Sequence, residues 1–160
     1  MKDGILVDSI GRELKKLRIS LTDACDFACT YCMPDNKFFS KNKDLLDSNE
    51  IYQIAKNLIY FGVDEIRLTG GEPLLRYDFL EVVKKLSSLK LKKFALTTNA
   101  FKLGKLLDEL KNETTLNDLN ISLDSLKKDV FKQITKKDVF DEVLENILRA
   151  KRMGFKVKLN

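Results

Sequence analysis

Five short apolar runs separated by segments of helical period predict an α/β fold, in which a curved parallel sheet carries crossover helices on one face. Three observations carry this expectation. The runs, at residues 17–22, 65–71, 94–99, 119–124 and 156–160, alternate strictly with the helical segments. Each run places its apolar side chains on one side, because successive residues of a strand point to opposite faces. No stretch rich in proline, glycine or serine interrupts the series, so the chain is read as one domain spanning residues 1–160.

The helical segments follow in order. Residues 48–62 take Ser48 as capping residue, bring Ile51, Ile54, Ala55, Leu58 and Ile59 to one face, and stop at Gly62. Residues 77–89 and 103–112 repeat the pattern, and residues 136–154 form a longer amphipathic helix ending at Gly154. In the strands, Leu17, Ile19, Ile66, Leu68, Phe94, Leu96, Leu119, Ile121 and Val157 form the face on which helices pack. The opposite face carries Arg18, Ser20, Arg67, Thr69, Thr97, Asn120, Ser122, Asp124 and Lys158. An ordinary (βα) barrel fills its interior with branched apolar residues. A polar interior holding two arginines and a lysine is costly unless an anion pairs with them. The forked guanidinium suits phosphate or carboxylate, so the face asks for a phosphate-bearing ligand.

Composition narrows the classes. The 160 residues are 44% hydrophobic, enough for a core, and the net charge of +5 is spread among acids rather than gathered into a basic block. Nucleic acid is therefore not expected as a partner. No apolar run approaches the ~18 residues of a membrane span, and the first residues lack the apolar stretch of a signal peptide. A cytoplasmic location is expected, where thiols stay reduced and clustered cysteines serve metal or redox chemistry. The absence of histidine excludes zinc sites of the Cys/His kind.

All three cysteines, Cys25, Cys29 and Cys32, fall within eight residues as C-x3-C-x2-C, directly after the first strand. Three is the wrong count for a closed zinc or iron–sulfur site. Three thiolates on a cluster of four irons leave one iron open to a small molecule. Incidental clustering, or a zinc site completed by an aspartate or another chain, are the alternatives. At the end of the second strand, Gly70 and Gly71 let backbone approach a ligand and Pro73 turns the chain away.

The thiol spacing, with Tyr31 before the last cysteine, resembles the radical S-adenosylmethionine (AdoMet) superfamily, and so does TGGEP at 69–73. The stretches LRISLTDACDFACTYCMP, IRLTGGEPLLR, LTTN, LNISLDSL and VKLN resemble, in the same order, the GTP 3′,8-cyclases of molybdenum cofactor (molybdopterin) biosynthesis, from Gly11 onward. The resemblance implies a partial TIM-like (βα) barrel of about five parallel strands and a radical AdoMet lyase. In it Cys25, Cys29 and Cys32 ligate a 4Fe-4S cluster with one open iron. It implies AdoMet contacts at Tyr31, Gly71 and Ser122, and GTP contacts at Arg18, Arg67, Thr97 and Lys158. No catalytic residue beyond the cluster ligands is implied. The partners implied are GTP as substrate and an electron donor protein, with a homodimer left open. The same motifs would also serve a radical AdoMet enzyme of another substrate, or an iron–sulfur-binding fragment without turnover.

The sequence departs from the family at four positions. Ala24 and Ala28 stand where arginine is usual, Asp26 where asparagine is usual, and Ala100 where glycine is usual. The family also continues beyond this length, finishing the barrel and adding a second 4Fe-4S cluster. The chain is thus expected to be the N-terminal part of a longer protein. Alone it is expected to hold the first cluster without cyclising GTP efficiently.

Overall fold

A computed structural model describes residues 4–32, 40 and 44–160. Its five strands are β1 (Lys16–Ser20), β2 (Glu65–Thr69), β3 (Lys93–Thr98), β4 (Asp118–Ile121) and β5 (Lys156–Leu159). They form one parallel sheet in the order β1-β2-β3-β4-β5. Helices α1 (Ser48–Tyr60), α2 (Phe79–Ser87), α3 (Leu107–Glu113), α4 (Lys128–Thr135) and α5 (Phe140–Arg152) occupy the connections. This is the α/β, partial TIM-like barrel expected. The strands end two or three residues earlier than the apolar runs at β2 and β4, where the chain leaves the ladder to form loops.

The apolar face packs as strand alternation requires. Ile66, Leu68, Phe94, Leu96, Leu119 and Ile121 are buried, together with Val82, Val83 and Leu86 of α2 and Leu107 and Leu110 of α3. Each fully buried side chain of this kind contributes roughly 1.5–3 kcal/mol. Ile54 of α1 is the exception: it is exposed, and Ile51 and Ala55 carry the buried stripe.

The cap of α1 is Asp47, not Ser48. Asp47 accepts hydrogen bonds from the backbone N–H of Asn49 and Glu50, at 2.8 Å each, and Glu50 accepts from the N–H of Asp47. This reciprocal box satisfies donors that the first helical turn leaves free. Ser48 instead donates to Glu81 at 2.6 Å and accepts from Lys85 at 2.7 Å, which ties α1 to α2. Helix α4 is an addition to the sequence reading. It buries Phe131 and Thr135 and ends on Lys136 in the left-handed region.

The register stacks the polar face in rows. Arg18 lies beside Arg67, Ser20 beside Thr69, and Thr97 beside Asn120, with Asn120 beside Lys158. Two residues of strand advance roughly 6.6 Å. The rows therefore run from a basic end at the strand N-termini to the loops at the C-termini.

Candidate functional site

The loop after β1 is held from several sides. Its Thr22 carbonyl accepts from Gly71 N–H and its Ala24 carbonyl from Glu72 N–H, each at 2.7 Å. These contacts explain the two glycines. A Cβ on Gly70, whose φ is +152°, would lie 2.3 Å from the Thr22 oxygen, and one on Gly71 would lie 2.4 Å from the Ala24 oxygen. Farther along, Ala28 and Thr30 donate to the carbonyls of Thr135 and Ile134 at the end of α4. Phe27 is buried between Phe101 and Phe131, with ring centroids 6.1 and 5.9 Å away. The cysteine loop thus carries its own apolar anchor between the first and second thiols.

A cleft of about 250 Å³ opens between the loops that follow β1 to β4. Cys25, Cys29, Cys32, Tyr31, Gly71, Thr97 and Ser122 all line it, beside Glu72, Asn99 and Asp124. The structure therefore gathers the three thiols, the three residues expected at AdoMet and one of the four expected at GTP. Cys25 and Cys29 are half-buried and Cys32 is exposed. Burial pushes the Cys25 thiol up from its ordinary value. Burial, then the nearby Asp124 carboxylate, push Cys29 up to about 11. Tyr31 donates to Asp124 at 2.8 Å, and burial with that bond raises its phenol as well. Among the described residues, no three Cys, Asp or Glu side chains form a ready site for a single metal ion.

Arg18 and Arg67 lie elsewhere on the same face. They line a second cavity of about 380 Å³ with Lys16, Glu65 and Lys93, toward the strand N-termini. Lys16 pairs with Glu65 at 3.5 Å and Lys93 with Asp118 at 3.2 Å. Among the described residues, Arg18 and Arg67 form no ion pair, although they are register neighbours. Lys158 is exposed on β5 and lines neither cavity.

Three residues at the rim have roles that no sequence pattern announces. Glu72 is 1% exposed and accepts from Thr98 Oγ1 at 2.7 Å, Asn99 N–H at 2.7 Å and Leu74 N–H at 3.1 Å. Burial pushes its carboxyl up to about 7. Asn99 donates through Nδ2 to Asp26 at 2.8 Å, inside the cysteine loop. Asp124 is the partner of Tyr31. The stretches TGGEP, LTTN and LNISLDSL contain Glu72, Asn99 and Asp124, each after the C-terminal end of a strand, but the sequence reading gave none of the three a role. Ala100 adopts φ +62° and is fully buried, in the conformation that a glycine would adopt more easily.

Comparison with known proteins gives concordant results. GTP 3′,8-cyclases from Synechocystis and Marinobacter nauticus are 48% and 42% identical over 97% of this chain. The chain spans about half the length of these relatives, 47% in both cases. Among solved structures, Streptococcus suis SuiB bound to the precursor peptide SuiA superimposes with a TM-score of 0.77 at 21% identity, covering 91% of this chain and 32% of that one. HydG, a maturase of the FeFe hydrogenase, gives 0.71 at 14% identity over 90% and 34%. Both likenesses concern the fold. The model of the radical SAM superfamily matches residues 19–160, which include the cysteine loop, the Gly70–Gly71 turn and all five strands except the first part of β1, and this chain belongs to that superfamily.

Proposed function

We propose that this chain is the cluster- and AdoMet-binding part of a GTP 3′,8-cyclase. The enzyme would convert GTP to (8S)-3′,8-cyclo-7,8-dihydroguanosine 5′-triphosphate in molybdenum cofactor biosynthesis. The observation that carries this reading is the division of one sheet face into two unlike ends. Three thiols and the carboxylates of Glu72 and Asp124 line the end at the loops, with no lysine or arginine lining it among the described residues. Arg18 and Arg67, without carboxylate partners among the described residues, lie at the other end. The first end favours a cationic ligand such as a sulfonium, the second a phosphate chain.

The residues present fit a 4Fe-4S cluster. Three thiols line one cleft, thiolate is the preferred donor for iron–sulfur centres, and the chain has no fourth cysteine to close the set. The raised thiols of Cys25 and Cys29 keep their protons in the metal-free chain and release them on ligation. When bound, the cluster and AdoMet supply the one-electron chemistry that no side chain can. The chain's own residues bind, orient and shield. Tyr31, Gly71 and Ser122 border the space for AdoMet. Arg18, Arg67, Thr97 and Lys158 serve GTP from the same polar face. Phe27, Phe101 and Phe131 close the floor of the cysteine loop against water. The reading includes a cytoplasmic enzyme that receives its electron from a donor protein. Among the described residues no helix is long and apolar enough to cross a membrane.

Calorimetric titration of the reconstituted protein with GTP and with guanosine tests the reading. GTP is expected to bind more tightly than guanosine. Replacing Arg18 and Arg67 together by alanine should weaken GTP about 100-fold and leave guanosine unaffected, because each substitution removes a charge-assisted hydrogen bond to the phosphates. GTP binding no better than guanosine, or insensitive to the double substitution, would contradict it.

A further inference from the structure

Asn99 is 8% exposed and anchors three neighbours through its backbone and side chain. Its backbone N–H donates to Glu72 Oε2 at 2.7 Å, which joins β3 to the turn after β2. Its side-chain oxygen accepts from Phe101 N–H at 3.0 Å, which fixes the amide so that Nδ2 faces the cysteine loop. That Nδ2 donates to Asp26 Oδ1 at 2.8 Å. The other oxygen, Asp26 Oδ2, is buried and has no hydrogen-bond partner among the described residues. Asn99 therefore compensates a carboxylate set between the first two thiols. Asp26 is half-buried, and with one oxygen already buried and unpaired, losing the bond to the other would be costly.

We propose that Asn99 is a positioning residue, clamping the cysteine loop through Asp26 to the Gly70–Gly71 turn through Glu72, so that Cys25 and Cys29 face the cleft together. The loops after β1, β2 and β3 become one unit by this route. The backbone bonds from Gly71 and Glu72 hold only the start of the cysteine loop, at Thr22 and Ala24. Phe27 holds its apolar side. Between Cys25 and Cys29, Asp26 to Asn99 is the side-chain tie toward β3, beside the backbone bond from Ala28 N–H to the Thr135 carbonyl of α4. That the two thiols so placed receive a cluster rests on the proposed function, whereas the clamp rests on the hydrogen bonds alone.

The test is the alkylation of each cysteine in the metal-free chain by iodoacetamide, followed by peptide mass spectrometry. Asn99→Asp removes the donor to Asp26 but keeps the acceptor for Phe101 N–H and the backbone bond to Glu72. Cys25 and Cys29 should then react about tenfold faster than in the wild type, since losing a hydrogen bond to a charged group opens the loop locally. Exposed Cys32 serves as the internal control and should change little. The double variant Asp26→Asn/Asn99→Asp reverses the direction of the bond, with the amide now at position 26 as donor, and should return both rates to within about twofold of wild type. Asp26→Ala cuts the tie from the other side without touching β3, and should accelerate Cys25 as well. Wild-type rates in Asn99→Asp and Asp26→Ala, or no recovery in the double variant, would overturn the proposal. Should Asn99→Asp unfold, the Asp26→Ala rates decide alone. Because the readout needs no metal, failure of the wild-type chain to take up iron and sulfide would count against the cluster reading only.

Discussion

Glu72 is a buried carboxyl whose partners, the hydroxyl of Thr98 and the N–H groups of Leu74 and Asn99, are all uncharged donors. Three such bonds favour the carboxylate, but burial outweighs them and raises the group from 4.5 to about 7. The folded chain therefore holds this proton more tightly than the unfolded chain. The stability that follows is fully present below about pH 4.5 and is lost as the pH rises through about 7. Urea denaturation of the metal-free chain should show stability falling between about pH 5 and pH 7.5, by on the order of 3 kcal/mol at most. Asp8, Asp23, Glu81 and Asp138, which are lowered rather than raised, complete their titration below this window. Glu72→Gln should flatten the slope. It should also lower stability at pH 5, because its amide NH2 would meet a donor where an oxygen is needed. A wild-type profile that is flat or rises across the window would contradict this assignment.

Arg76 does for the elements what Asn99 does for the loops. It follows the short 3-10 turn Pro73–Leu75 and is 7% exposed. It pairs with Asp78 through two bonds, and donates to the carbonyls of Leu21 after β1 at 3.1 Å and Leu46 before α1 at 2.6 Å. One guanidinium thereby joins the start of the cysteine loop, the entry to α1 and the entry to α2. Arg76→Met keeps the volume but leaves Asp78 buried without a cation, and should cost about 3–5 kcal/mol in thermal or urea unfolding. A loss under about 1 kcal/mol would show that the pair does not hold these elements. Sequence pattern locates the elements better than it locates their ends. Asp47 and Ser48 are both competent caps. The choice falls to Asp47 because Glu50 stands at the third helical position and because Glu81 and Lys85 engage Ser48. Val130, Phe131 and Ile134 have helical spacing, but over only eight residues, of which α4 buries just Phe131 and Thr135. Its place is set instead by Phe27 and Phe140, which pack on Phe131.

At the scale of the whole molecule, one sheet face carries both halves of the proposed chemistry. Period-two alternation is sufficient to put Arg18, Arg67, Thr97, Ser122 and Lys158 on that face, because it holds whatever the curvature of the sheet. It does not say how far apart they lie. The register supplies that, placing the arginine row at one end, Thr97 and Ser122 beside the thiols, and Lys158 outside both cavities. The clamp through Glu72, Asn99 and Asp26 is legible only in three dimensions, since it joins three loops separated by tens of residues. The claim on which the rest depends is that Cys25, Cys29 and Cys32 hold a cluster whose open position takes AdoMet. The direct measurement is mass-spectrometric detection of 5′-deoxyadenosine after anaerobic reconstitution with iron and sulfide, addition of AdoMet and reduction with dithionite. The wild-type chain should form it, and Cys29→Ala, one thiol short, should not. A wild-type chain that carries an intact cluster by spectroscopy yet forms no 5′-deoxyadenosine would contradict the claim.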